Sequence, residues 1–288
     1  MDFLITLVNG LSLGGIYAMI ALGYTMVYGI AKMLNFAHGD IIMVGGYAIL
    51  VFLSINPILA IIFSVLFCIA LGILVEKAAY KPLRGASPLA VLITAIGVSC
   101  LLQSLAQIIF GASPKYVIIA DLGNLTIGEI SISYATIITL ISSVIIMTAL
   151  TLFVKLTKTG RAMLAVSEDK DAARLMGVNI DKIIMITFAI GSALASLAGL
   201  FSLLRMPTIM PTYGALPGIK AFTAAVIGGI GSIPGAMLGG ILLGIVECIS
   251  NSIPALAPYT MAIEFAILIL ILLVKPTGIL GKKRREKV

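Results

Sequence analysis

The chain of 288 residues contains no tryptophan, one histidine, three cysteines and only 12 acidic residues, and charged residues make up 11% of it. A single histidine excludes a His-rich metal centre. Cys68, Cys100 and Cys248 each lie in an apolar stretch. They have no metal-ligand spacing and no disulfide framework, so they are expected to be small buried hydrophobes. No Gly-x-x-x-x-Gly-Lys-Ser/Thr loop occurs, because Gly281-Lys282-Lys283 lacks the preceding turn, so the chain is not expected to hydrolyse ATP itself. No nucleophile–base pair suggests an enzyme, and no cofactor is expected to be bound. So little charge, with a mean hydropathy of +1.18, also excludes an ordinary soluble domain.

Long apolar runs take the place of the missing charge. Spans are expected at 3–28, 36–54, 57–80, 88–110, 131–154, 182–205, 217–231, 234–253 and 259–274, most of them long enough to cross a hydrocarbon core of about 30 Å as helices. The 217–231 segment is short and Gly-rich, which suggests a re-entrant piece. The expected fold is an all-α, polytopic integral membrane helical bundle, one domain over 1–288, with eight or nine transmembrane segments. Met1-Asp2 has no basic leader, so no cleaved signal is expected.

Basic residues set the orientation. If the tail at 275–288 lies in the cytoplasm, nine crossings place 16 of the 19 Lys and Arg residues on that side. Only Lys115, Arg205 and Lys220 fall outside. This positive-inside bias puts the N-terminus outside and the C-terminus in the cytoplasm. The net charge of +7 is accounted for in the same way, without nucleic acid. In the outer loop, Lys115–Ile119 and Leu125–Ile127 are expected to pair as a small hairpin.

Glycine is plentiful, with 29 residues, and suits close helix packing in lipid. Gly231, Pro234 and Gly235 form the best candidate for a helix break along a substrate route. A charged island, Ser167–Gly177, interrupts the apolar background within a cytoplasmic loop at 155–181. Ser167 is expected to cap a helix of about nine residues. Glu168 and Asp169 fall in its favourable first turn, and Gly177 supplies the stop. Ala172, Leu175 and Met176 share one stripe.

Asp171-Ala172-Ala173-x-x-x-Gly177 resembles the coupling motif of ABC-importer permeases, in which Glu stands at the first position. The Ile-x-Leu-Pro tail of that motif is absent here. Gly23-Tyr24-Thr25-Met26-Val27-Tyr28-Gly29, Leu34-Asn35-Phe36-Ala37-His38-Gly39-Asp40 and Gly228-Gly229-x-Gly231-Ser232-x-x-Gly235-Ala236 resemble the branched-chain amino acid permeases, in particular the LivH-like component. The likeness spans essentially the whole chain. It implies that Glu168, Asp169, Asp171, Ala172, Ala173, Leu175, Met176 and Gly177 dock an ATPase, with Ala172, Ala173 and Gly177 making the closest contact. It further implies two cytoplasmic ABC ATPase subunits that use ATP, a second related permease in a heterodimer, an external solute-binding protein, and leucine, isoleucine and valine as substrates, in a prokaryotic inner membrane. Permeases for urea, amides and sugars are related, so substrate is less firmly implied than class.

Five further polar residues are candidates for a translocation path. Asn35, His38 and Asp40 cluster at the start of the second span, where they either cap a helix or relay protons. Glu247 and Glu264 lie inside spans, where an acid either lines a route or locks helices together. Glu76 is expected to pair locally with Lys77 and Lys81. A stand-alone ion-coupled transporter is the competing class, but no internal inverted repeat is visible and the island would have no purpose. A channel would need polar rings that are not evident.

Overall fold

A computed structural model describes residues 2–120, 122–127 and 130–281. The basic run Lys282–Lys287 lies outside the described residues. Eleven α-helices are described: α1 (Asp2–Ala31), α2 (His38–Phe52), α3 (Pro57–Val75), α4 (Pro88–Phe110), α5 (Tyr134–Leu156), α6 (Lys158–Glu168), α7 (Lys170–Leu175), α8 (Ile180–Arg205), α9 (Ala215–Gly228), α10 (Ile233–Ser252) and α11 (Thr260–Val274). A π-helical turn, Glu76–Tyr80, and a 3-10 turn, Lys81–Leu83, continue α3. Four short strands complete the fold: β1 (Lys115–Tyr116), β2 (Asn124–Ile127), β3 (Ile130–Ser133) and β4 (Thr208–Ile209).

Seven helical segments are long and apolar enough to cross a membrane. The chain is therefore a polytopic helical membrane protein. Helices α2 and α9 have 15 and 14 residues, which gives each about 21–23 Å of rise, short of the roughly 30 Å hydrocarbon core.

Most helix starts are written in the sequence. Asn56, Ser87, Ser133, Thr157, Asp169, Asn179 and Ser232 each accept a backbone N–H at the first turn of α3, α4, α5, α6, α7, α8 and α10 respectively. Such caps satisfy N–H groups that the helix itself leaves open. Helices α2 and α9 start at Ala37 and Gly214 with no side-chain cap.

Their starts lie inside the bundle. His38 packs against Gly23, two turns before the end of α1, so the chain climbs back beside α1 through 32–37 before α2 begins. Residues 206–214 descend in the opposite sense from β4, and a Cβ at Gly39 would lie 2.5 Å from the Gly214 carbonyl oxygen. The two short helices thus meet start to start and run to opposite faces.

This pairing belongs to a larger symmetry. The series α1-α2-α3-α4 and α8-α9-α10-α11 each contain a long helix, an extended lead-in, a short helix and two further helices. Helix α1 packs on α10 and α9 as α8 packs on α3 and α2. Because α5 intervenes, the two series run in opposite senses. The fold therefore contains an inverted repeat, contrary to the expectation that there is none. The repeat resides in the order, lengths and packing of the elements.

Small residues allow the close crossings. A Cβ at Gly14 would lie 2.7 Å from the Ile241 Cα, and one at Gly10 2.9 Å from the Ile245 Cα. Gly240 and Gly244 return the contact from α10 against Ala18 and Gly14. With lipid offering no hydrophobic drive, this backbone approach is what α1 and α10 gain by associating.

The expected hairpin forms differently. β1 pairs with β4, and β2 pairs with β3. The partner of Lys115-Tyr116 is thus Thr208-Ile209, a segment too short to stand out in the sequence. Cys100 is exposed, and only Cys68 is fully buried; position 100 lies on the outward face of α4.

Candidate functional site

The charged island is two helices rather than one. Ser167 lies in the last turn of α6, where its hydroxyl donates to the Leu164 carbonyl at 2.7 Å. Asp169 is the cap of α7, accepting from the Asp171 and Ala172 N–H groups at 3.0 Å each. Glu168 closes α6 and is not part of α7. Gly177 has φ +82° and ends the helix in the left-handed conformation, while Asn179 caps α8 through the Lys182 N–H at 3.0 Å.

Helix α7 is fastened to the bundle. Ala173 is buried, so it anchors α7 to its own chain and does not face outwards. Lys170 donates to the Ala31 carbonyl at the end of α1 at 3.0 Å. Burial, with Arg84 nearby, holds the Lys170 ammonium below the usual lysine range. The outward face carries Ala172, Leu175 and Met176, the last two 90% and 84% exposed. Leu175 and Met176 are thus large apolar side chains left bare at the tip of a clamped helix. Space around Gly177 is open; its small size serves the turn. Below α7, Arg84 bridges Glu76 and Asp181, and Lys81 reaches Asp181 at 3.1 Å. Glu76 therefore pairs with Arg84, not with Lys77 or Lys81, because the π-helical turn directs it inward.

Asn35, His38 and Asp40 are all buried, and none caps α2. The Tyr80 hydroxyl donates to Asn35 Oδ1 at 2.8 Å. His38 stacks edge-on against Tyr24 at 4.8 Å, and its Nε2 has no hydrogen-bond partner among the described residues. Asp40 accepts from Gln103 Nε2 at 2.8 Å. Asp40 also borders a cavity of about 190 Å³ where α2 and α9 meet, together with Tyr24, Phe36, Ser99 and Gln103. No basic group lies within ion-pair distance of Asp40 among the described residues.

Glu247 and Glu264 share one cation. Lys220 Nζ lies 2.8 Å from Glu247 and 3.2 Å from Glu264, and the Tyr17 hydroxyl donates to Glu247 at 2.7 Å. Lys220 was expected on the outer side, within the 217–231 segment; it is buried in α9. The triad ties α9, α10 and α11 together, and Tyr17 joins α1 to it. The missed signal was a lysine inside an apolar segment, which needs an acid of its own.

Gly231, Pro234 and Gly235 form the turn between α9 and α10. Gly229 and Gly231 have φ +108° and +94°. Ser232 caps α10 with Pro234 in its first turn, and Gly235 packs against Gly228. Helix α9 ends at Gly228 and α10 starts at Ile233, so the chain turns there between two helices, as it also does at 32–37 and 206–214.

Residues 6–272 match the family model for the permease component of branched-chain amino acid transport systems. The chain is 42% identical, over 99% of its length and 98% of the relative's, to the high-affinity branched-chain amino acid transport system permease protein BraD of Pseudomonas aeruginosa. It is 41% identical to LivH of Escherichia coli, a permease protein of the same description, again over 99% and 98%. The ribose import permease protein RbsC of Escherichia coli is 32% identical over 124 residues, covering 41% of this chain and 39% of that protein. With a family model and full-length relatives in agreement, the chain belongs to the branched-chain amino acid transport permeases.

Proposed function

We propose that the chain is the membrane-spanning subunit of an ATP-driven importer of leucine, isoleucine and valine, and that α7 is where a cytoplasmic ATPase docks. The observation that carries this reading is the full-length likeness to two high-affinity branched-chain permeases, against a partial likeness to a ribose permease. The form of α7 supports it. Lys170 fixes the helix to α1 and Ala173 is buried, while Leu175 and Met176 stand free for a partner. A push on α7 would pass through Ala31 into α1, and from α1 to α10 along the glycine seam. Such a rigid path suits a rocking transition between two states.

In this reading the α6–α7 face is cytoplasmic, and the β1–β4 face receives substrate from an external binding protein. Two ATPase subunits and a second, related permease complete the assembly in the inner membrane. Gly229 and Gly278, which pack together beneath α9, would then lie on the cytoplasmic side.

A second reading has one observation in its favour. Inverted repeats with half-helices and buried charges also suit ion-coupled carriers. Purification with the neighbouring subunits separates the two. An ATPase that co-purifies with the wild type and is lost on Leu175→Arg supports the importer. Substrate accumulation by the isolated chain, driven by an ion gradient, would contradict it.

A further inference from the structure

We infer that the cavity between the starts of α2 and α9 is a transit site for a zwitterionic amino acid within this single chain, with Asp40 receiving the ammonium. The inference rests on the importer reading and adds to it a place and a mode of recognition. Three features converge on the cavity.

The first is an acid without a cation. Asp40 is 2% exposed and borders the cavity. One of its oxygens accepts from Gln103, and no Lys, Arg or His lies within ion-pair distance among the described residues. The contrast with buried Glu76 and Glu264 and part-buried Glu247 is informative, because each of those acids has a basic partner. A carboxylate in lipid-depth surroundings needs a positive partner or a proton. A substrate ammonium meets that need when present.

The second is the pair of helix starts. Helices α2 and α9 begin at this cavity with no side-chain cap, and Gly39, Gly214, Ala215 and Gly218 line it. The first-turn N–H groups of His38 and Asp40 in α2, and of Ala215 in α9, are bonded to the Asn35, Ala37 and Thr212 carbonyls, so the two starts favour an anion such as a carboxylate through the positive end of the helix dipole rather than through free donors. Gly39 and Gly214 are already in backbone contact, and the Tyr24 hydroxyl lies against the backbone of Gly39 and Gly218.

The third is the apolar remainder of the wall. Phe36, Ile96 and Ile219 border the same space and suit a branched aliphatic side chain. An acid, two helix starts and an apolar wall match the three parts of leucine, with Ser99 and Gln103 beside the acid to help orient the ammonium.

The test uses the full importer complex in nanodiscs without its binding protein. Cys68, Cys100 and Cys248 are replaced by serine, and Ser99→Cys is introduced as the reporter. The rate of labelling by a small thiol reagent is measured against added leucine, 4-methyl-2-oxopentanoate (no ammonium) and isopentylamine (no carboxylate). Leucine at ten times its Kd is expected to slow labelling about elevenfold, the factor 1 + [L]/Kd. The two analogues are expected to protect only at much higher concentration. Asp40→Asn is expected to remove leucine protection and Asp40→Glu to retain part of it, with elution volume and Tm reporting the fold of each variant. Labelling unaffected by leucine, in a complex whose cysteine-carrying parent imports leucine, would overturn the site and leave the importer reading intact. A parent complex that imports no leucine at all would overturn the importer reading instead. Equal protection by all three compounds would overturn the ammonium role of Asp40.

Discussion

Replacing Lys220 by methionine tests how the charged triad holds the bundle. The substitution keeps the length of the side chain and removes its charge, so Glu247 and Glu264 remain among α1, α9, α10 and α11 with no cation. Both acids are well covered, Glu264 to 1% exposure and Glu247 to 14%. Removing one partner of a buried ion pair typically costs about 3–5 kcal/mol. A ceiling per acid follows from protonation. Neutralising a carboxyl of ordinary pKa, about 4.3, at pH 7 costs about 3.7 kcal/mol. The Tyr17 hydroxyl still donates to Glu247, so the loss is expected to fall mainly on Glu264. A net destabilisation of about 4 kcal/mol follows. At about 2–4 °C per kcal/mol for a chain of this size, the midpoint should fall by roughly 8–16 °C. The assay is thermal melting in detergent, read by loss of the monodisperse peak. Lys220→Met combined with Glu264→Gln should recover much of the loss, because the uncompensated charge is gone. Acidification should narrow the gap between Lys220→Met and wild type, since protonation removes the same charge. A single variant that melts within 2 °C of wild type would refute the reasoning, and so would a double variant that melts lower than the single.

Three other outcomes are expected. Leu175→Arg should abolish ATPase co-purification with little change in melting, because the side chain is almost fully exposed; Ala173→Arg should instead lower the melting point, because Ala173 is buried. Gly14→Leu should separate α1 from α10 and cost at least about 1–3 kcal/mol by overpacking, since backbone rather than a flexible side chain meets the added Cβ. Arg84→Ala should leave buried Glu76 without its cation, costing about 3–5 kcal/mol, whereas Lys77→Ala should be silent in the same melting assay because Glu76 pairs with Arg84.

What was legible in the sequence was what repeats or punctuates. Apolar runs of crossing length and the stop at Gly177 have local causes. Helix α7 was legible as a helix but misplaced at its start, because Ser167 and Asp169 are both good caps and only packing decides between them. The interrupted helices were harder to see. Residues 32–37 and 206–214 are apolar enough to read as span or loop, and the contact of Gly39 with Gly214 at their ends is made across the fold. The triad required pairing Lys220 with acids on two other helices. Asp40 was singled out from its sequence block, yet its setting beside α9, Gln103 and a cavity is tertiary and has no local signature.

The most direct test of the account is leucine uptake by proteoliposomes. These would contain this chain, its paired permease and their ATPases, with the binding protein and leucine outside and ATP inside. The account predicts accumulation that requires ATP and the binding protein and is lost on Leu175→Arg. Accumulation of leucine by this chain alone, without ATP, would contradict it.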